Sequence, residues 1–248
     1  MTDSHAHLDA CDEAAGTLVE RAHDAGVTRI VTIGTGIESS RVALELADRH
    51  NGVYASLGIH PHEAADPEAE RIDELRELLR HPKAVGVGET GLDAVRGSAS
   101  PEQQRRLFDA HLDLAAELAL PVVIHNREAD ESTAAALARF DGTVILHCFS
   151  SPALVPLAVE RGYFVSFAGN ATYPNATALR LAATLIAADR ILVETDSPYL
   201  APQPVRGRPN EPSHVVHTIR RLAESRGEDE AEFAARTHAN AAAAFGLA

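Results

Sequence analysis

Seven short apolar runs recur along the chain: Val27 to Gly34, Val53 to Ile59, Ala84 to Glu89, Pro121 to His125, Thr143 to His147, Tyr163 to Phe167 and Ile191 to Asp196. The opening stretch through His7 makes an eighth. Several are apolar at nearly every position, the pattern of parallel strands covered on both faces. Between them apolar residues return every three or four positions, as on one face of a helix. The clearest case starts at Ser100-Pro101-Glu102-Gln103, with a serine cap, proline at the first helical position and glutamine three after the cap. Leu107, Ala110, Leu114 and Leu118 then share one face. Leu75, Leu78 and Leu79 mark a stripe between Pro67 and Arg80, with glutamates in its first turns where the helix dipole favours them. Leu44 and Ala47 do the same between Glu38 and Arg49, and Glu211 to Arg226 and Asp229 to Phe245 predict two closing helices. Eight strands alternating with helices in 248 residues predict an α/β fold, the (β/α)8 or TIM barrel. A doubly wound open sheet is the other arrangement the alternation allows. No repeat or change of composition marks a linker, so residues 1–248 are expected to form one barrel domain.

Composition narrows the function more than the fold. At 45% apolar and 23% charged residues the chain is globular. A net charge of −14 excludes a protein that coats nucleic acid through a generally basic surface. It leaves room for a nuclease whose metal ions and a few arginines carry the positive field at one mouth. Two cysteines, Cys11 and Cys148, are too few for a disulfide framework, which favours a reducing compartment and a cytoplasmic protein. The opening MTDSHAHLD lacks the basic and apolar stretches of a secretory leader, and no uncharged apolar run approaches a membrane span, so no membrane partner is expected.

The chemistry gathers where the apolar runs end. His5 and His7 are two apart on a strand and so point to one side. Glu89, His125, His147 and Asp196 close four further runs. In a barrel those ends converge on one rim, and four imidazoles with two carboxylates suit divalent Zn, Mn, Fe or Mg. Burying such groups singly at strand exits would be costly. Asp196 could also orient a bound water or accept its proton. Gly86, Gly88 and Gly91 around Glu89 allow close backbone approach or unusual dihedrals. Arg127, two beyond His125, shares its direction and could grip a phosphate with its fork, or pair with a neighbouring helix. His60 and His62 in GIHPH could touch substrate, shuttle a proton or pack a turn around Pro61. Arg206 and Arg208 form a local basic cluster, with Asn210 and Glu211 placed to cap the helix that follows. Cys148 is expected to point away from the site and to pack. Phe167, Tyr173 and Tyr199 could stack a base or fill the core. No phosphate-binding loop, dinucleotide fingerprint or serine-nucleophile motif competes.

The motifs DSHAHLD, GIHPH, GETGLD, VIHNRE, HCFS, SFAGN, ETDSPYL and RGRPNEP, in that order from Asp3 onward, closely resemble the TatD family of metal-dependent deoxyribonucleases. The resemblance implies an amidohydrolase-like TIM barrel with one or two divalent ions per chain, Mg or Mn for activity, with Zn or Fe as alternatives. It implies hydrolysis of DNA phosphodiester bonds, often from an end, on single strands or ends. By resemblance, His5, His7 and Asp196 hold the first metal, Glu89 is shared, and His125 and His147 hold the second. His60, His62 and Arg127 match positions near the scissile phosphate. Catalytic roles thus fall to Glu89, Asp196, His60 and Arg127, and substrate contacts to His60, His62 and Arg127. The sole lysine, Lys83, starts its run rather than ending it, which argues against a lysine bridge. Three positions depart from the family pattern: Ala94 where an aromatic is common, Ser151 where glycine is usual, and Asn126 where Cys or Ser is frequent. The same ligand set would also serve a hydrolase of a small ester, lactone or amide, or an idle metal-stabilised scaffold. A monomer is expected.

Overall fold

The computed structural model describes residues 1–247. Eight strands form one parallel sheet in chain order: β1 (Thr2–Ala6), β2 (Arg29–Gly34), β3 (Val53–Leu57), β4 (Ala84–Asp93), β5 (Val122–Arg127), β6 (Val144–Leu146), β7 (Phe164–Phe167) and β8 (Ile191–Val193). The chain just past β8 returns to β1 and closes the sheet. The Asp196 amide donates to the His5 carbonyl at 2.9 Å, and the His7 amide donates to the Ser197 carbonyl at 2.8 Å. Closure decides for the barrel over the open sheet.

The near-continuous apolar runs follow from burial on two sides. Val31, Ile33, Val85, Val123, Ile145, Phe164 and Leu192 fill the barrel interior. Their neighbours in sequence, among them Ile30, Val122, Ile124, Val144 and Ile191, pack outward under the helices. These are α1 (Ala15–Asp24), α2 (Ile37–Arg49), α3 (Ile72–Leu78), α4 (Pro101–Leu118), α5 (Asp130–Leu137), α6 (Val155–Arg161), α7 (Thr177–Leu185), α8 (Val215–Arg226) and α9 (Glu230–Phe245). Ala241, Ala244 and Phe245 of α9 join the interior cluster and so plug one end of the barrel. Helix α4 starts as its sequence predicts, with Ser100 Oγ accepting from the Gln103 amide and Gln103 Oε1 accepting from the Ser100 amide. The stripe from Pro67 to Arg80 is instead split into a 3₁₀ turn, Pro67–Glu70, and the short α3, because Arg71 at ψ 36° leaves the helical region. Helix α8 likewise begins at Val215, after a separate 3₁₀ turn at Pro212–His214. Helices α1, α5, α6 and α7 are additions to the sequence reading. The Ala134–Ala136 run in α5 gives little contrast between its faces.

Strand ends differ from expectation where it matters for the site. β4 does not stop at Glu89 but runs on to Asp93, and β5 continues past His125 to Arg127. β6 and β8 are shorter than predicted, so His147 and Asp196 lie just beyond them. Three register shifts add a residue, one of them where Ala55 pairs with Ala84 but Ser56 with Gly86, and the other two lie at the site. Asp3 pairs with Ile30 but Ala6 with Thr32, and Val87 pairs with Val122 but Thr90 with Ile124. Such bulges re-aim side chains, and here they fall at His5 and Glu89. Gly88 and Gly91 flank the bulge in β4 at φ +139°, where a Cβ would collide with the Val123 and His125 carbonyls.

Candidate metal centre

Glu89 lies at the centre of the barrel mouth and is 2% exposed. Its Oε1 is 2.8 Å from His125 Nδ1, 2.8 Å from His147 Nε2 and 3.2 Å from His60 Nε2. Its Oε2 faces His5 Nε2 at 3.4 Å and His7 Nε2 at 3.8 Å. Asp196 closes the second group, with Oδ1 3.4 Å from His7 Nε2 and 3.8 Å from His5 Nε2. Three sets of donors are close enough to share an ion: His5, His7 and Asp196; His5, Glu89 and His147; and His60, His62 and His125. All six ligands expected from the sequence therefore meet at one place. Glu89 separates His125 and His147 at Oε1 from His5 and His7 at Oε2, while two of the donor sets cross that division, linking His147 to His5 and His125 to His60 and His62.

The third set is the least suited to an ion. His60 caps the 3₁₀ turn at Pro61–Glu63, and its Nδ1 accepts from the His62 amide at 3.2 Å. An accepting Nδ1 leaves the proton on Nε2 in the neutral ring, so the nitrogen facing Glu89 is a donor and not a ligand. Burial pushes the His60 pKa down against the pull of Glu89, which keeps the ring in that neutral form. His62 and His125 are in turn held by Asp93, whose Oδ2 lies 2.7 Å from His62 Nε2 and 3.2 Å from His125 Nε2. Asp93 Oδ1 accepts from the Val95 and Arg96 amides, both at 2.8 Å. With Nε2 turned to Asp93, His125 offers Nδ1 to the centre, the usual arrangement of a carboxylate behind a metal-binding imidazole.

Electrostatics support a cation here. Burial raises the Glu89 pKa, but the charge on His147 and the hydrogen bonds of His125 and His147 hold it well below the usual range. Burial opposes the charge on His147, yet Glu89 and Glu194 carry its pKa well above normal. His5 is pushed down by burial and by the charge on His147. The His5 and His147 rings stack at 3.9 Å and 10°, so two imidazolium charges there would repel. His5 Nδ1 is buried without a partner among the described residues. Crowded imidazoles around ionised carboxylates are the chemistry of a divalent ion's donor set, and the residues fit that group.

Three carboxylates around this cluster went unassigned in the sequence: Asp93, Glu194 and Asp3. Glu194, fully buried, stands 3.3 Å behind His147 Nδ1 and accepts from the Cys148 amide at 2.7 Å. Asp3 accepts from the Thr195 amide at 2.9 Å and from its hydroxyl at 2.6 Å, stapling β1 to the end of β8. Each stood in a motif already explained by a neighbouring ligand. The signal that could have found them is an acid inside an otherwise apolar run.

The remaining expectations divide. Arg127 ends β5 half-buried, and among the described residues its guanidinium has no partner, so the helix salt bridge is absent. Asn210 does not simply cap α8. Its Nδ2 donates to the Thr195 and Tyr199 carbonyls and so fastens the loop after β8. Glu211 binds Arg21 and Ser213 rather than the helix end. Cys148 does not point away. At φ 43° the chain turns its thiol toward Asp196, where burial and the surrounding carboxylates raise its pKa well above normal. Phe167 is fully buried against Phe149 and is not available to stack a base. Tyr173 lies beneath Arg206, while Tyr199 is 56% exposed beside His7. Two departures from the family pattern touch each other, with Asn126 Nδ2 donating to Ser151 Oγ at 2.8 Å.

The profile of a family described as TatD related DNase matches residues 2–246. The chain is 42% identical to an uncharacterized metal-dependent hydrolase TatD of Mycobacterium tuberculosis, over all of this chain and 98% of that protein. It is 36% identical to the 3'-5' ssDNA/RNA exonuclease TatD of Escherichia coli, over 93% of this chain and 92% of that protein. Among solved structures it is similar to YjjV, a TatD homolog from Escherichia coli, with a TM-score of 0.93 and 31% identity. That match covers 100% of this chain and 98% of YjjV.

Proposed function

The chain belongs to the family of TatD-related DNases and is a metal-dependent hydrolase; we propose that it cleaves phosphodiester bonds at the end of a single-stranded nucleic acid, with DNA as the first candidate. The observation that carries this reading is the position of Glu89, whose two oxygens face separate groups of ring nitrogens. Glu89 so placed could be shared between two ions, which His5, His7 and Asp196 would hold on one side and His125 and His147 on the other. One or two divalent ions held there would supply an acidified water and polarise a phosphate oxygen. Asp196, kept ionised against its burial by the hydrogen bond and charge of His7, would orient the attacking water and take its proton. His60 presents a fixed Nε2–H to the oxygen that leaves or gathers charge. Arg127 offers an unpaired fork to the phosphate. The names of relatives such as the Escherichia coli exonuclease support the substrate class.

The test is the shortening of an end-labelled single-stranded DNA oligomer by chelated protein and by the same protein resupplied with Mg or Mn. Stepwise shortening that returns with metal is expected, and the labelled end gives its direction. No cleavage with either ion, together with turnover of small esters, would move the reading to a small-molecule hydrolase.

A further inference from the structure

The chain has 21 arginines and one lysine against 36 acids. Most arginines are paired, as Arg49 is with Glu45 and Arg71 with Glu74. Among the described residues, four make neither an ion pair nor a side-chain hydrogen bond: Arg96, Arg127, Arg206 and Arg208. All four stand on the rim that carries Glu89. Arg96 follows β4, with its amide on Asp93; Arg127 ends β5; Arg206 and Arg208 follow β8. Arg206 is already ordered, with its guanidinium 4.3 Å over the Tyr173 ring. In so acidic a chain, guanidinium groups left unpaired on one rim alone are matched to charges that arrive with a ligand.

Tyr199 belongs to the same surface. Its ring is 5.9 Å from the His7 ring, and its backbone is fixed at both ends, the amide on the Asp196 carbonyl at 2.9 Å and the carbonyl on Asn210 Nδ2 at 2.6 Å. An exposed aromatic on an immobile backbone beside the reacting centre is a stacking platform. On the far side of Asp93 a cavity of about 860 Å³ opens past Arg96. Ala94, Val95 and Ala99 form its apolar wall, Arg105 and Arg106 in its lining are paired with Asp109 and Glu70, and Glu102 and Glu128 add negative charge, so beyond Arg96 a neutral base suits it.

We propose that the barrel mouth is a track for one unpaired polynucleotide strand. Tyr199 stacks the base beside the reacting phosphate, Arg206 and Arg208 grip phosphates on that flank, and Arg127 and Arg96 grip them on the other. The cavity beyond Arg96 receives a flanking base. Stacking on Tyr199 needs an unpaired base, so the track selects single strands over duplex. This rests on the phosphodiester reading, and its test is a binding measurement made without metal so that the two can fail separately.

Binding of a labelled thymidine oligomer in chelator, followed by fluorescence anisotropy across a salt series, reads the track directly. Each of R96A, R127A, R206A and R208A is expected to lower the slope of log Kd against log salt by about 0.7, the value for one phosphate on a single strand. R49A, on α2 away from the rim, is expected to leave the slope unchanged. Tyr199→Ala is expected to weaken the oligomer by about 5- to 150-fold and to have no effect on an abasic sugar–phosphate chain of equal length. Wild-type slopes in all four arginine variants, or an equal Tyr199→Ala loss on the abasic chain, would overturn the track. A protein that binds with the full slope but never shortens the oligomer would overturn the hydrolysis and leave the track standing.

Discussion

Glu89 can serve two groups of donors because each of its oxygens faces a different set of rings, and those rings are aimed in turn by acids behind them. Asp93 fixes His62 and His125, and Glu194 stands behind His147. Removing such a backing carboxylate costs about 10- to 100-fold in metal affinity or activity. Asp93→Ala is accordingly expected to weaken Mn binding to the metal-free protein by that factor, as read by calorimetric titration. An unchanged affinity would show that Asp93 is only a loop staple for the Val95 and Arg96 amides. At this scale the sequence is legible where a polar residue interrupts an apolar run and no nearer explanation competes. That is how His5, His7, Glu89, His125, His147 and Asp196 are found. Asp93 and Glu194 escape notice because GETGLD and ETDSPYL each already contain a candidate ligand. The orientation of Cys148 depends on a left-handed backbone at a non-glycine position, which no side-chain pattern announces.

The elements position these residues through their irregularities. Bulges at His5 and Glu89 turn side chains inward that a regular strand would alternate, and Gly88 and Gly91 let β4 approach β5 at distances no Cβ would allow. Glycines around Glu89 are visible in the sequence; the register shift they accompany is not, because it depends on the partner strand. Helix α4 supports the segment between β3 and the His60 turn from beneath. His111, fully buried, accepts from the Ile59 amide at 3.0 Å through Nε2 and donates to the Leu107 carbonyl at 2.8 Å through Nδ1, which only a neutral ring can do. Burial pushes its pKa down to about 4, against 6.5 in the unfolded chain. Its contribution is therefore complete above pH 6.5 and is lost as the pH falls toward 4. The stability advantage of wild type over His111→Gln is expected to shrink over that window by up to about 3 kcal/mol, measured by urea unfolding at several pH values. A constant difference would mean that the ring can be protonated in place. The helix predicted from Pro67 to Arg80 illustrates the opposite case, in which a leucine stripe continues although the backbone breaks at Arg71.

At the scale of the whole molecule, strand count and alternation are enough to predict a barrel, because both sheet faces are buried and the chain is long enough to close. What the sequence does not reveal is how closure builds the site. The bonds that join His5 and His7 to Asp196 and Ser197 are also the seam of the barrel, so the fold is completed where its candidate ligands meet. The −14 charge is likewise legible as a total but not in its distribution, which among the described residues leaves four rim arginines without an ion pair. The central claim is that six residues on or just past five strands, His5, His7, Glu89, His125, His147 and Asp196, form one metal centre joined through Glu89. It is tested most directly by measuring, on the same preparation, metal bound per chain and the rate of oligomer shortening for wild type and Glu89→Ala. Wild type should hold more metal than the variant by at least one equivalent, and the variant's rate should fall about 100-fold or more. Full metal content with an undiminished rate in Glu89→Ala would contradict the account.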